Sequence, residues 1–213
     1  MLQELEKPAS QRLQWLLWFD SDTVLLNPNM PLETFLPPPE LSDIHLLLTQ
    51  DWNGMNNGVF FIRVHEWSVK LLAAAISYTT VHPDADLYWT DQSALDNIFE
   101  DVEFFSKSVL YCPLRWFNAY MRSPDGLSPN KDSPDRLQVH PGDLLVHFPG
   151  TPPDDLVQTM EPYIQIAEGH HKEWELPVEE TAYVKIVKEF WDKERRRAGY
   201  PEPSMTWSSS EPS

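Results

Sequence analysis

The sequence predicts an α/β fold, and three observations lead there. Short unbroken apolar runs alternate with segments of helical periodicity, the runs stop abruptly in polar or glycine-rich chain, and nine Trp, ten Phe and seven Tyr supply large side chains to bury. The runs do not alternate apolar with polar, so each reads as a strand covered on both faces, which requires helices on either side of a sheet. With 213 residues the chain can close one sizeable core.

The elements follow in order. Residues 2–7 read as one or two helical turns ended by Pro8, and residues 13–19 as a buried strand that stops at Asp20. Asn27-Pro28-Asn29 and Pro37-Pro38-Pro39 are turn and loop signals, and residues 44–49 form a second strand. Residues 51–58, rich in Asn and Gly, read as a loop leading into a third strand over 59–64. Trp67, Leu71, Ala74, Ala75 and Tyr78 recur at helical spacing, and a short helix over 93–99 takes Thr90 as its cap, with Asp91 and Gln92 in its first turn. Residues 108–112 and 143–148 supply a fourth and a fifth strand, separated by an exposed loop over 122–136 that holds Pro124, Gly126, Pro129 and Pro134. Beyond Pro152 the chain turns helical: 156–167, interrupted at Pro162, then 178–197, where Tyr183, Ile186, Val187, Phe190 and Trp191 make one apolar stripe for packing. Residues 199–213, dominated by Pro, Ser and Glu, read as a disordered tail.

Charge narrows the function. Thirty-three acidic against sixteen basic residues give a formal charge of −17, which argues against nucleic acid or an anionic membrane as partner, since either needs a basic patch. The one dense basic run, Lys193 with Arg195, Arg196 and Arg197, suits the last turn of a helix. Cys112, the single cysteine, lies among apolar neighbours and reads as a buried thiol. No window reaches the roughly 18 apolar residues of a membrane span, and the first residues lack the apolar core of a signal peptide.

The chemistry is expected where strands end. Asp20 and Asp22 follow an apolar strand two residues apart, so in extended chain both carboxylates point one way, an arrangement suited to a hard divalent cation. Read as a bare tripeptide, Asp20-Ser21-Asp22 is more often a solvated turn, and only the apolar strand in front of it brings the metal-site reading level. His147 ends another apolar run; it is either a satisfied core histidine or, if the two strand ends lie side by side, a third ligand. The segment from Asp51 through Gly58 offers amides, an aromatic ring and flexible backbone to a sugar or phosphate, or is simply a tight turn. Asp91-Gln92 is a functional or a capping pair, and Trp116-Phe117-Asn118-Ala119-Tyr120 is site or core.

Taken in order, WLLWFDSDTVLLNP, DWNGMNNGVFFIRVHEWS, TDQSAL, WFNAY and GDLLVHFPG resemble the motifs of glycosyltransferase family 34, the group of galactosyl-, mannosyl- and xyloglucan xylosyltransferases. The resemblance implies a GT-A type, Rossmann-like fold with C-terminal helices, N-terminally incomplete because only 19 residues precede Asp20: a partial catalytic domain over 1–173 and a helix over 174–198 packed on it. It implies a retaining enzyme that moves a hexose or pentose from a UDP- or GDP-sugar to a glycan acceptor. Mn²⁺ or Mg²⁺ would be held by Asp20, Asp22 and His147, with Ser21 near the nucleotide ribose. Asn53, Gly54, Asn57, Gly58, Asp91 and Gln92 would surround the sugar, the last two positioning it and stabilising charge, with Trp116 and Gly150 also in contact. The family's place is the Golgi lumen, associated with the membrane. A non-catalytic relative that docks, as a hetero- or homo-oligomer, with related glycosyltransferases is the alternative, and a metal-dependent hydrolase, lacking a second carboxylate pair, ranks behind both.

Overall fold

The computed structural model describes residues 1–126 and 128–200, so the part of the expected tail beyond Tyr200 lies outside the described residues. After a single turn, α1 (Leu2–Leu5), the chain forms β1 (Trp15–Phe19), β2 (Thr23–Leu25), β3 (Leu46–Asp51), β4 (Gly54–Arg63), α2 (Glu66–Val81), α3 (Thr90–Asp101), α4 (Glu103–Ser106), β5 (Val109–Cys112), β6 (Ala119–Tyr120), β7 (Leu145–His147), α5 (Pro153–Glu168) and α6 (Tyr183–Arg197). A four-stranded sheet runs in the order β1-β4-β3-β5, with β4 antiparallel to both neighbours and β3 parallel to β5. A smaller sheet, β2-β7-β6, joins antiparallel and parallel pairs.

Successive residues of β3 serve two cores, as an unbroken apolar run requires. Leu46 and Leu48 pack with Trp67, Leu71 and Tyr78 of α2 and Ala94 and Ile98 of α3, while Leu47 faces Phe35, Phe61, Trp116 and the α6 residues Tyr183, Val187 and Trp191. A third cluster seats Val24 and Val146 of the small sheet on Tyr163 and Ile166 of α5. The one hydroxyl proton of Tyr183 is shared between the Arg115 carbonyl and Asp143, whose buried carboxylate takes a two-pronged bond from the Arg115 guanidinium at 2.9 and 3.0 Å. This pairing ties α6 to the start of β7.

Several expectations give way. The segment 51–58 is not a loop: Asp51 and Gly54 pair across a tight turn, and Met55 through Gly58 already belong to β4. Gly54, at φ +111°, permits that turn. β1 is not buried, because it is the sheet's edge; Trp18 and Phe19 are 55% and 58% exposed. The cap of α3 is Trp89, whose N–H donates to Ser93 Oγ at 3.1 Å, and Thr90 is the first helical residue. α5 runs through Pro162 without a break, since burial of Tyr163 and Ile166 outweighs the one lost backbone bond. No helix among the described residues is long and apolar enough to cross a membrane.

Candidate functional site

The β3–β4 register shifts between Leu47 and Thr49, so that residues 57–60 of β4 bulge from the β3 ladder opposite Leu48. The Asp20 N–H then bonds the Gly58 carbonyl at 2.8 Å, so the end of β1 is pinned where the chain turns. Asp20-Ser21-Asp22 is a turn and not the extended chain expected; Thr23 Oγ1 closes it on the Asp20 carbonyl at 2.8 Å. The carboxylates converge all the same, because β2 then pairs Thr23 with His147. Ligand atoms of Asp20, Asp22 and His147 lie within 4.8 Å of one another. That is close to the roughly 3 to 4.3 Å that octahedral coordination at about 2.1 Å imposes.

Hydrogen bonds fix the imidazole. Asn56 Oδ1 accepts from the Gly58 N–H at 3.0 Å and therefore faces the Asn118 NH₂ at 2.8 Å as an acceptor. Asn118 Nδ2 also donates to Thr49 Oγ1, so Asn118 Oδ1 must be the atom 2.7 Å from His147 Nδ1, and Nδ1 carries a hydrogen. With Nδ1 engaged by Asn118, Nε2 of His147 is directed toward Asp22 Oδ1, 3.4 Å away, carrying a proton when the ring is charged and a lone pair when it is neutral. Two lone-pair atoms at that distance need a proton or a cation between them, and two carboxylates with an imidazole are a donor set that fits Mn²⁺ or Mg²⁺. Burial pushes the Asp22 carboxyl up, but the bond and charge of His147 outweigh it and hold the group below its ordinary value. Gly58 makes this possible by being glycine, for a Cβ there would lie 2.2 Å from His147 Cε1.

Around these residues opens a cleft of about 280 Å³. Of the residues expected from sequence, Asp20, Asp22, His147, Asn53, Asn57, Gly58, Asp91, Gln92 and Gly150 line it. Asn57 organises one wall: its Nδ2 donates to Asp91 Oδ2 at 2.7 Å and its N–H to Gln92 Oε1 at 3.4 Å, which docks the start of α3 onto β4. Ser21, in its turn, and Gly54, the first residue of β4, lie outside the lining. Trp116 does not reach the cleft at all; it is 1% exposed, its ring packed among Phe35, Phe190 and Trp191. Sequence reasoning passed over Trp89 and Pro149 as site residues, and it named Asp51, Trp52, Asn56 and Tyr120 only within segments. The Tyr120 hydroxyl donates to the Asp51 carboxylate, and burial, with that bond and charge, pushes the phenol well above its ordinary range.

The model of the galactosyl transferase GMA12/MNN10 family matches residues 39–155, more than half of the sequence. The chain belongs to this family. The matched stretch takes in His147, Asn118 and the Asn57–Asp91 contact, and begins after Asp20 and Asp22. Among the family's curated relatives, the probable α-1,6-mannosyltransferase MNN10 of Saccharomyces cerevisiae is 27% identical over 134 residues, covering 50% of this chain and 34% of its own length. The probable α-1,2-galactosyltransferase gmh1 of Schizosaccharomyces pombe is 25% identical over 182 residues, covering 70% and 51%. The chain therefore spans about half, or less, of the length of these relatives. A crystal structure of a glycosyltransferase involved in glycosylation of the major capsid of PBCV-1 superposes with a TM-score of 0.51 at 19% identity, covering 75% of this chain and 71% of that one. The shared architecture is a glycosyltransferase fold of the GT-A kind.

Proposed function

We propose that the cleft is a nucleotide-sugar-dependent glycosyltransferase site that moves a hexose or pentose to a glycan acceptor with retention of configuration. The observation that carries this reading is the convergence of Asp20, Asp22 and His147 on one point of a cleft that Asp91 and Gln92 also line. Four carboxylates, Asp20, Asp22, Asp51 and Asp91, line that cleft with no Lys or Arg among the described lining residues, so a diphosphate enters only with a cation. When bound, Mn²⁺ or Mg²⁺ supplies charge to the donor diphosphate and Lewis-acid assistance to the departing nucleoside diphosphate.

The chain's own groups do the positioning. Asn118 holds the His147 ring, while Asn57 fixes Asp91 and Gln92, leaving Asp91 Oδ1 and Gln92 Nε2 without a protein partner among the described residues and open to sugar hydroxyls. Gly150 and Asn53 also line the cleft. Golgi residence in a membrane-associated whole protein is the location this reading carries with it.

A second reading is a non-catalytic partner of related glycosyltransferases. It draws on β1, whose unpaired edge and exposed Trp18 and Phe19 suit association with another chain.

Calorimetric titration of UDP- and GDP-sugars with and without Mn²⁺ separates the two. The transferase reading expects metal-dependent binding, abolished in Asp20→Ala and in His147→Ala; a folded parent that binds neither nucleotide sugar refutes it for this chain and favours the partner.

A further inference from the structure

Two of the largest exposed aromatic side chains stand at the mouth of the same cleft. Trp52, 65% exposed, sits on the tight turn between β3 and β4; Trp89, 45% exposed, sits at the start of α3. Trp52 rests edge-on against the buried Tyr120, centroids 5.6 Å apart, while Trp89 meets its exposed neighbour Tyr88 edge-on at 4.6 Å. An indole left open to water exposes a large apolar surface and, with only two side-chain torsions to fix, offers a flat face to a ligand at low entropic cost. The free Asp91 Oδ1 and Gln92 Nε2, assigned above to the transferred sugar, line the same cleft, so a ring held on the indoles shares that cleft with it. The surrounding carboxylates and the absence of Lys and Arg from the described lining disfavour an anionic ligand.

From this we infer that Trp52 and Trp89 form the stacking subsite for a neutral pyranose ring of the glycan acceptor. The inference rests on the transferase reading of the cleft and assigns it an acceptor side. The rings sit on the hairpin turn and the α3 start, which belong to different elements from the metal-ligating residues on the β1–β2 turn and β7, so a neutral sugar can occupy the indoles without a metal or nucleotide.

The test titrates the chain with methyl α-D-mannopyranoside and methyl α-D-galactopyranoside, without metal or nucleotide, followed by saturation-transfer NMR and tryptophan fluorescence; glucuronate serves as the anionic control. Binding of the neutral glycosides should weaken about tenfold in Trp52→Ala and in Trp89→Ala, the loss expected for on the order of 50 Å² of ring contact, recover in Trp52→Phe and persist in Asp22→Asn. Both tryptophans are exposed, so the variants should retain the parent's circular dichroism. Binding that neither alanine variant weakens overturns the inference, as does glucuronate binding equally well. Loss in Asp22→Asn to the same extent also overturns it, because that would seat the pyranose beside the metal ligands, where the donor's own sugar belongs. If the glycosides bind through the tryptophans while nucleotide sugars never bind, the stacking subsite stands and the transferase reading falls.

Discussion

Asn118 decides which nitrogen of His147 is free, and it does so only because Asn56 and Thr49 have already fixed the orientation of its amide. None of these residues reaches a ligand position, yet each is needed to aim one. Gly58 acts by exclusion, since its missing Cβ is the space the imidazole occupies. Asn118→Ala should therefore reduce Mn²⁺ affinity by roughly 10- to 100-fold, the usual effect of losing an orienting partner, and cost about 1–3 kcal/mol of stability through the orphaned groups. Gly58→Ala should lower metal affinity at least as far by displacing the ring. Calorimetry with Mn²⁺ alone, beside urea melts, checks both, and unchanged affinity in folded variants would show that His147 is not a ligand. The sequence displayed Asp20, Asp22 and His147 as strand-end polar residues. It could not display Asn118 as their organiser, because the bonds that give it that role join positions 62 to 69 residues apart as well as His147 itself.

The strands of the larger sheet were legible because unbroken apolar runs have few other uses, whereas the hairpin was not. Asn56, Asn57 and Gly58 have poor strand propensity, and the pairing of Asn56 with Thr49 of β3 together with the bond from the Asp20 N–H to the Gly58 carbonyl overrides it. The same holds for Pro162, where packing of α5 prevails over a local breaker. One junction was invisible in sequence: His45, at the entry to β3, stacks on His65, the cap of α2, with centroids 4.2 Å apart, and its Nδ1 has no partner. Burial first, then the charges of His65 and Arg63, lower the His45 pKa from 6.5 to about 4, against a smaller opposing effect of Asp43. The sign follows directly. Between those two values the unfolded chain binds a proton that the folded chain refuses, so stability contributed by neutral His45 is complete above about pH 6.5 and declines as pH falls toward 4. His45→Leu should flatten that acid limb in denaturant melts taken at pH 7, 6 and 5. An unchanged slope would assign the acid sensitivity to other groups.

For the molecule as a whole, the α/β class and the placing of polar motifs at strand ends followed from pattern alone, while the edge position of β1 did not, because an apolar run looks the same in the middle of a sheet as at its margin. The opposite margin is β5, where Cys112 pairs with Thr49 of β3 and points into the core that α6 closes. Burial pushes this thiol far above its ordinary range, with the charge of Glu194 adding to it, so the reactive thiolate is scarce while the fold is intact. As the single cysteine, it reports on how that core opens. Since α6 covers the β5 side through Tyr183, Val187 and Trp191, exposure of Cys112 requires either global unfolding or release of α6. If the molecule opens as one unit, labelling by a thiol reagent should be slower than for a free cysteine by roughly 10³- to 10⁶-fold, and should accelerate with urea along the slope of the circular-dichroism transition. Trp191→Ala, which loosens α6 at a cost of about 3–5 kcal/mol, should then raise the labelling rate and shift the unfolding midpoint together. A rate that rises in this variant while the midpoint stays fixed would instead show that α6 detaches on its own.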